Sequence, residues 1–179
     1  MLDPRIVERI DSIEPVGFGG RAYRHVSPTH SSMSGEGARL HGGRWNPPRS
    51  FPTLYLALDR PTMLAELKRT ALRFGIPPES LLPRAVYRFY IALHHCLDLR
   101  DASGREAVGL SLDAIRSDDL RRCRKVATAA HYLGLEGLLA PSATGAGFTI
   151  AIFTDRLRPD SCIEPGDAEI LNALPQPWT

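Results

Sequence analysis

Apolar positions along the chain switch between helical and strand spacing, and the switches outline its elements. Asp3-Pro4-Arg5-Ile6-Val7-Glu8-Arg9-Ile10 sets a capping Asp before a Pro at the first helical position, which predicts a short helix. After Gly17-Phe18-Gly19-Gly20, the run Arg21 to Val26 reads as a strand. Leu54 to Leu58 is apolar, short and bounded by turn residues, which predicts a buried strand. Asp59-Arg60-Pro61 opens a helix to Phe74, with Met63, Leu67, Thr70 and Phe74 on one face and Gly75 as its stop. Arg84 to Leu93 is rich in Val, Tyr, Phe and Ile, as strands are. Asp118 to Leu133 places Cys123, Val126, Ala127, Ala130 and Leu133 on one helical stripe, closed by Gly134. Leu138-Leu139-Ala140 and Phe148 to Thr154 predict two further strands around a Ser, Thr and Gly loop. Asp167 to Leu174 predicts a short helix before a Pro-rich end.

These elements mix without a regular βαβ alternation, which favours an α+β fold over a doubly wound sheet. A length of 179 residues fits a single domain spanning 1–179, and a hydrophobic fraction of 43% is enough for a core. One stretch resists the pattern. Ser27 to Ser50 is rich in Ser, Gly and Pro without periodicity, and a loop that long in a compact domain is usually functional or disordered. It carries Arg39, Arg44, Trp45 and Asn46, which favours function.

Composition narrows the possibilities further. No run approaches the roughly 18 apolar residues of a membrane span. Met1 to Asp11 lacks the apolar core of a secretory signal, so a cytoplasmic protein is expected. A net charge of +2 gives little pull toward nucleic acid. The densest basic stretch, Arg121, Arg122, Arg124 and Lys125, follows two aspartates and reads as a solvated helix face. Cys96, Cys123 and Cys162 form no CxxC pair, and His94-His95 point to opposite faces of a strand, so neither a disulfide framework nor a metal site is expected.

The chain has no GxxxxGK[ST] phosphate loop, no full GxGxxG fingerprint and no GxSxG nucleophile elbow. What remains is a set of polar residues for which structure alone has little use. In Gly42-Gly43-Arg44-Trp45-Asn46-Pro47-Pro48 the glycines allow close backbone approach to a ligand. Arg44 supplies a planar cation suited to a diphosphate, and Trp45 a flat surface for a ring or a core anchor. Arg24, Tyr55, Glu66 and Ser142 each also have a plain structural explanation. These are a salt-bridged strand Arg, a core Tyr, a rim carboxylate paired with Arg69 or Thr70, and a turn Ser.

Taken together, Tyr23-Arg24, Gly42-Gly43-Arg44-Trp45-Asn46, Tyr55-Leu56-Ala57, Ala65-Glu66 and Ser142 resemble the RES-domain toxins of Xre–RES toxin–antitoxin systems. The likeness runs from about residue 20 to 155. The segment from Gly35 to Pro48 is most similar to members that degrade NAD with phosphate as acceptor. The resemblance implies an RES-type catalytic domain with a mixed β core like that of ADP-ribosyltransferases, flanked by helices. It implies NAD as substrate, phosphate as co-substrate and no cofactor, with a cognate Xre-type antitoxin that plugs the site. Water as acceptor, or ADP-ribosyl transfer to a protein or nucleotide, remain alternatives. Carried over by position, Arg24, Tyr55, Glu66 and Ser142 are the expected catalytic residues. Gly43, Arg44, Trp45 and Asn46 are the expected substrate-binding ones.

Overall fold

Strand pairing organises the molecule, which a computed structural model describes over residues 2–175. Strands β1 (Val16–Val26), β2 (Thr53–Ala57), β3 (Arg84–Asp98), β4 (Gly137–Pro141), β5 (Phe148–Phe153) and β6 (Cys162–Leu171) lie in the order β1-β2-β5-β4-β3-β6. Because β1 also pairs with β3, five strands close into a ring and β6 adds to the outer edge of β3. All pairs are antiparallel except β3 with β4. The ring is uneven. β1 and β3 are zipped along most of their length, whereas β1 meets β2 only at Tyr23 opposite Ala57.

Period-two alternation sorts the strands' side chains between two cores. On β5, Ile150 and Ile152 point into the ring with Leu54, Leu56, Phe89, Ile91 and Leu139. Ala151 and Phe153 point the other way. There they pack with Cys123, Val126, Ala127 and Ala130 of helix α6 (Arg121–Tyr132) and with Ile10 of helix α1 (Pro4–Asp11). Helix α3 (Arg60–Phe74) seals a third cluster with Met63 and Leu67 on Ala57 and Val86. Its start is fixed by Asp59, whose carboxylate accepts the Thr62 N–H at 2.7 Å, and its end by Gly75 at φ 67°. The short helices α2 (Glu36–His41), α4 (Ala102–Ala107) and α5 (Leu112–Arg116) complete the chain between strands.

The structure revises several expectations. Asp167 to Leu174 is not helical: residues up to Leu171 form β6, because the edge of β3 offers backbone partners that outweigh the helical preference of Ala, Glu and Leu. The Pro-rich end beyond residue 175 lies outside the described residues. Phe74 is 70% exposed, and Ala71 takes the last buried position on α3. The 27–50 stretch is not wholly a loop, for α2 sits inside it. The basic stretch on α6 divides. Arg121 and Arg122 are solvated, Lys125 pairs with Asp3 at 3.2 Å, and Arg124 turns inward to the 42–46 loop. No described helix is long and apolar enough to cross a membrane.

Candidate active site

A cavity of about 350 Å³ opens beside the single β1–β2 contact. Its wall draws Tyr23, Arg24 and His25 from β1, Tyr55, Leu56 and Ala57 from β2, and Gly43 and Arg44 from the loop. From α3 come Glu66, Arg69, Thr70 and Arg73, at the spacing that keeps them on one helical face. Arg24, Gly43, Arg44, Trp45, Tyr55 and Glu66, which the sequence offered as site residues, therefore share one cavity.

The loop is built around Tyr55. Gly43 N–H bonds to the Asn46 carbonyl at 2.9 Å and closes a tight turn over Arg44 and Trp45. A Cβ at Gly43 would collide with the Tyr55 phenol, so glycine is required for this close approach. The phenol donates to Asn46 Oδ1 at 2.7 Å and accepts the Trp45 N–H at 2.9 Å. Burial pushes its pKa far above the ordinary tyrosine value. Arg124 Nε donates to the Gly43 carbonyl at 2.9 Å and pins the turn from α6.

Two expected substrate-binding residues are tied into the fold, Asn46 behind the cavity wall and Trp45 at its edge. Asn46 is fully buried and absent from the cavity wall. Its amide donates to the Ala38 and Pro47 carbonyls while its oxygen holds Tyr55. Trp45 is only 2% exposed and packs in the α6 core, so its ring is an anchor and little of it reaches the cavity.

The charges are lopsided. Arg24, Arg44, Arg69 and Arg73 face one carboxylate, Glu66. Arg24 donates to the carbonyls of Ser32 at 2.5 Å and Ser34 at 3.0 Å, and Arg44 to that of Ser117 at 2.8 Å. Carbonyls orient these guanidiniums without neutralising them. Burial lowers the Arg24 pKa to about 10, which still leaves it a cation at neutral pH. Arg69, considered above as a partner for Glu66, instead pairs with Asp118 at 2.9 Å.

Glu66 is held from behind. Ser142 Oγ donates to Glu66 Oε1 at 2.6 Å. Ser142 then accepts from the Thr144 hydroxyl at 2.6 Å and the Thr144 N–H at 3.1 Å, while Ala146 N–H donates to Thr144 Oγ1 at 3.2 Å. With one proton on each hydroxyl, this is the arrangement that leaves Glu66 an acceptor and every donor used. Ser142 is 1% exposed and not on the wall, and the hydrogen bond its hydroxyl donates goes to the carboxylate. Sequence reasoning missed His25, Arg69 and Arg73 on the wall. The i+3 and i+7 spacing of the two arginines from Glu66 was the available signal. Among the described residues no group of three His, Cys, Asp or Glu side chains comes together to hold a metal ion.

Comparison with known proteins finds relatives of the whole fold. Curated proteins called NAD(+) phosphorylase MbcT, from Mycobacterium bovis and Mycobacterium tuberculosis, are 38% identical over 161 residues, spanning 88% of this chain and 86% of theirs. A chain in the crystal structure of the M. tuberculosis MbcT–MbcA toxin–antitoxin complex superposes with a TM-score of 0.85 at 34% identity, covering 96% of this chain and 94% of that one. The RES domain model matches residues 21–172, from the strand that carries Arg24 to the end of β6, and the chain belongs to the RES-domain family.

Proposed function

We propose that this chain is an NAD phosphorylase, the toxin of a toxin–antitoxin pair, which cleaves the nicotinamide–ribose bond with phosphate as acceptor. The observation that carries the reading is the one carboxylate among the described residues of the wall, Glu66, anchored by Ser142 and faced by four arginines. A dinucleotide makes the same demand, with anionic phosphates along its length and one carbon that becomes cationic during reaction. The naming of relatives at 38% identity as NAD(+) phosphorylases supports it.

As the C–N bond to nicotinamide lengthens, its electron pair moves to the pyridine nitrogen and neutralises the ring, so the leaving group needs no general acid. Positive charge builds on the ribose as in glycoside cleavage. Glu66, fixed beside it, stabilises that charge and holds a ribose hydroxyl. A phosphate oxygen then bonds to the anomeric carbon, giving nicotinamide and a ribosyl phosphate. Arg24 and Arg44 bind the phosphates by forked hydrogen bonds and, already held by carbonyls, lose little freedom in doing so. At about 350 Å³ the cavity lies at the low end of small-molecule sites, so it encloses the nicotinamide riboside end while the rest of the dinucleotide runs out through the mouth.

The partner in this reading is an antitoxin that covers the Arg44 loop and the Glu66 cleft, and the compartment is the NAD-containing cytoplasm. The test is mass spectrometry of NAD after exposure to the purified chain, with and without phosphate. Nicotinamide together with a phosphorylated ADP-ribose, formed only with phosphate, is the expected result. Free ADP-ribose at the same rate in both arms would make water the acceptor, an ADP-ribosylated macromolecule would make the chain a transferase, and intact NAD would end the enzymatic reading.

A further inference from the structure

His25 follows Arg24 on β1, and the reaction as described gives it no role. Its register partner is Val86, which packs with Met63 and Leu67 of α3. Residues opposite one another in antiparallel strands share a face, so His25 stands on the side of the sheet that α3 covers. Arg84, two residues before Val86, shares that face, and its Nε donates to His25 Nδ1 at 3.1 Å. A guanidinium only donates, so Nδ1 must be the bare nitrogen and the ring proton sits on Nε2. Nε2 has no hydrogen-bond partner among the described residues, it is not sealed in the interior, and His25 lines the cavity. Burial, then the Arg84 and Arg24 cations, push the ring's pKa down to about 3. The imidazole is thus a neutral donor of fixed tautomer, set into a wall whose neighbouring charges are arginines.

We propose that His25 is a further substrate-contacting residue, its Nε2–H donating to a phosphoryl oxygen in the cavity. The inference rests on the NAD phosphorylase reading, in which both the dinucleotide's diphosphate and the incoming phosphate carry such oxygens. An anionic occupant is required by the arginines, and Glu66 is committed to the ribose end. A neutral donor adds a directed bond without deepening the repulsion among the cations, which a charged histidine would do. Arg84 is the positioning residue. Without its N–H the ring is free to move its proton to Nδ1 and turn an acceptor toward the phosphate.

Initial rates with NAD and phosphate varied independently test this on wild type, His25→Phe and His25→Gln. Phe keeps the ring and loses both nitrogens, while Gln loses the ring and places an N–H near the position of Nε2. The expected result is a KM at least roughly tenfold higher in His25→Phe, the scale of a lost bond to a charged acceptor, and within about threefold of wild type in His25→Gln. A rise in the KM for NAD assigns the bond to the diphosphate, and a rise in the KM for phosphate assigns it to the acceptor. An unchanged His25→Phe overturns the proposal, as does a His25→Gln as impaired as Phe. Failure of the NAD reading looks different, because wild type itself then leaves NAD intact. Calorimetric titration with inorganic phosphate and pyrophosphate still decides the point in that case. Weaker binding to His25→Phe than to wild type upholds the donor, and equal binding removes it.

Discussion

Glu66 is half-buried and Glu136 fully buried, and their surroundings could hardly differ more. Glu136, immediately before β4, is fully buried. Its carboxylate accepts the N–H groups of His94 at 2.7 Å, His95 at 2.9 Å and Arg158 at 3.1 Å, and the Ser161 hydroxyl. Burial alone would raise its carboxyl, but the Ser161 hydroxyl and the three N–H groups outweigh it and hold the pKa below the usual glutamate value. Glu66 receives one side-chain donor, Ser142, on one oxygen, and its other oxygen has no partner among the described residues. A carboxylate that has spent its lone pairs on four donors has nothing left for a ligand. One held by a single bond at a cavity wall is oriented and still open. The first stitches β3 to the 158–161 turn, and the second is available for chemistry.

If that division is right, mutating the two to Gln should separate stability from turnover. Glu136→Gln places an amide NH2 against N–H donors, and we expect a loss of about 3 kcal/mol or more, read from urea denaturation. NAD turnover per folded molecule should stay at the wild-type level. The acid limb of the stability curve checks the same point. Glu136 titrates lower in the folded chain than in the unfolded one, so its contribution is complete above the ordinary glutamate pKa and is lost as pH falls through the lower, folded value. The Gln variant should lack that portion of the acid transition. Glu66→Gln should do the reverse, with turnover lower by a factor on the order of 10² and the urea midpoint almost unmoved. Near-normal turnover would take the carboxylate out of the mechanism.

The contrast also shows what the sequence could and could not reveal. Met63 and Leu67 on one face of α3, the Asp59 cap and the Gly75 stop were legible because they depend on neighbours within a few residues. β6 was not, because the free edge of β3 that recruits it lies seventy or more positions away in sequence. Among the site residues, Arg24, Gly43, Arg44, Tyr55 and Glu66 each had a plain structural explanation when taken singly and stood out only as a set, and they share the cavity. Asn46 and Trp45 looked equivalent to them within the same loop. Only the fold shows that Asn46 is consumed by Tyr55 and two carbonyls, and that Trp45 packs in the α6 core with only an edge on the cavity wall. Glu136 gave no signal at all, since its four donors come from two segments that are both remote from it in sequence.

Smaller effects should grade along the chain of hydroxyls behind Glu66. Ser142→Ala removes the one donor that orients the carboxylate and leaves the carboxylate itself. Turnover should fall by about tenfold, the lower end for a bond to a charged group, with the loss in kcat more than in the KM for NAD. A loss confined to KM would mean that Ser142 reaches the substrate itself, against its burial. Thr144→Val lies one step further back, deleting the hydroxyl that donates to Ser142 and accepts from Ala146 N–H. Neutral hydrogen bonds are worth about 1 kcal/mol, so kcat should drop roughly fivefold or less, measured beside Ser142→Ala under saturating NAD and phosphate. Ser142→Ala combined with Thr144→Val should then cost no more than Ser142→Ala alone, because Thr144 acts on Glu66 only through the Ser142 oxygen. Multiplying losses in the double variant would show that Thr144 has a separate route to the reacting atoms, and Glu66 would no longer be the one point through which this loop acts.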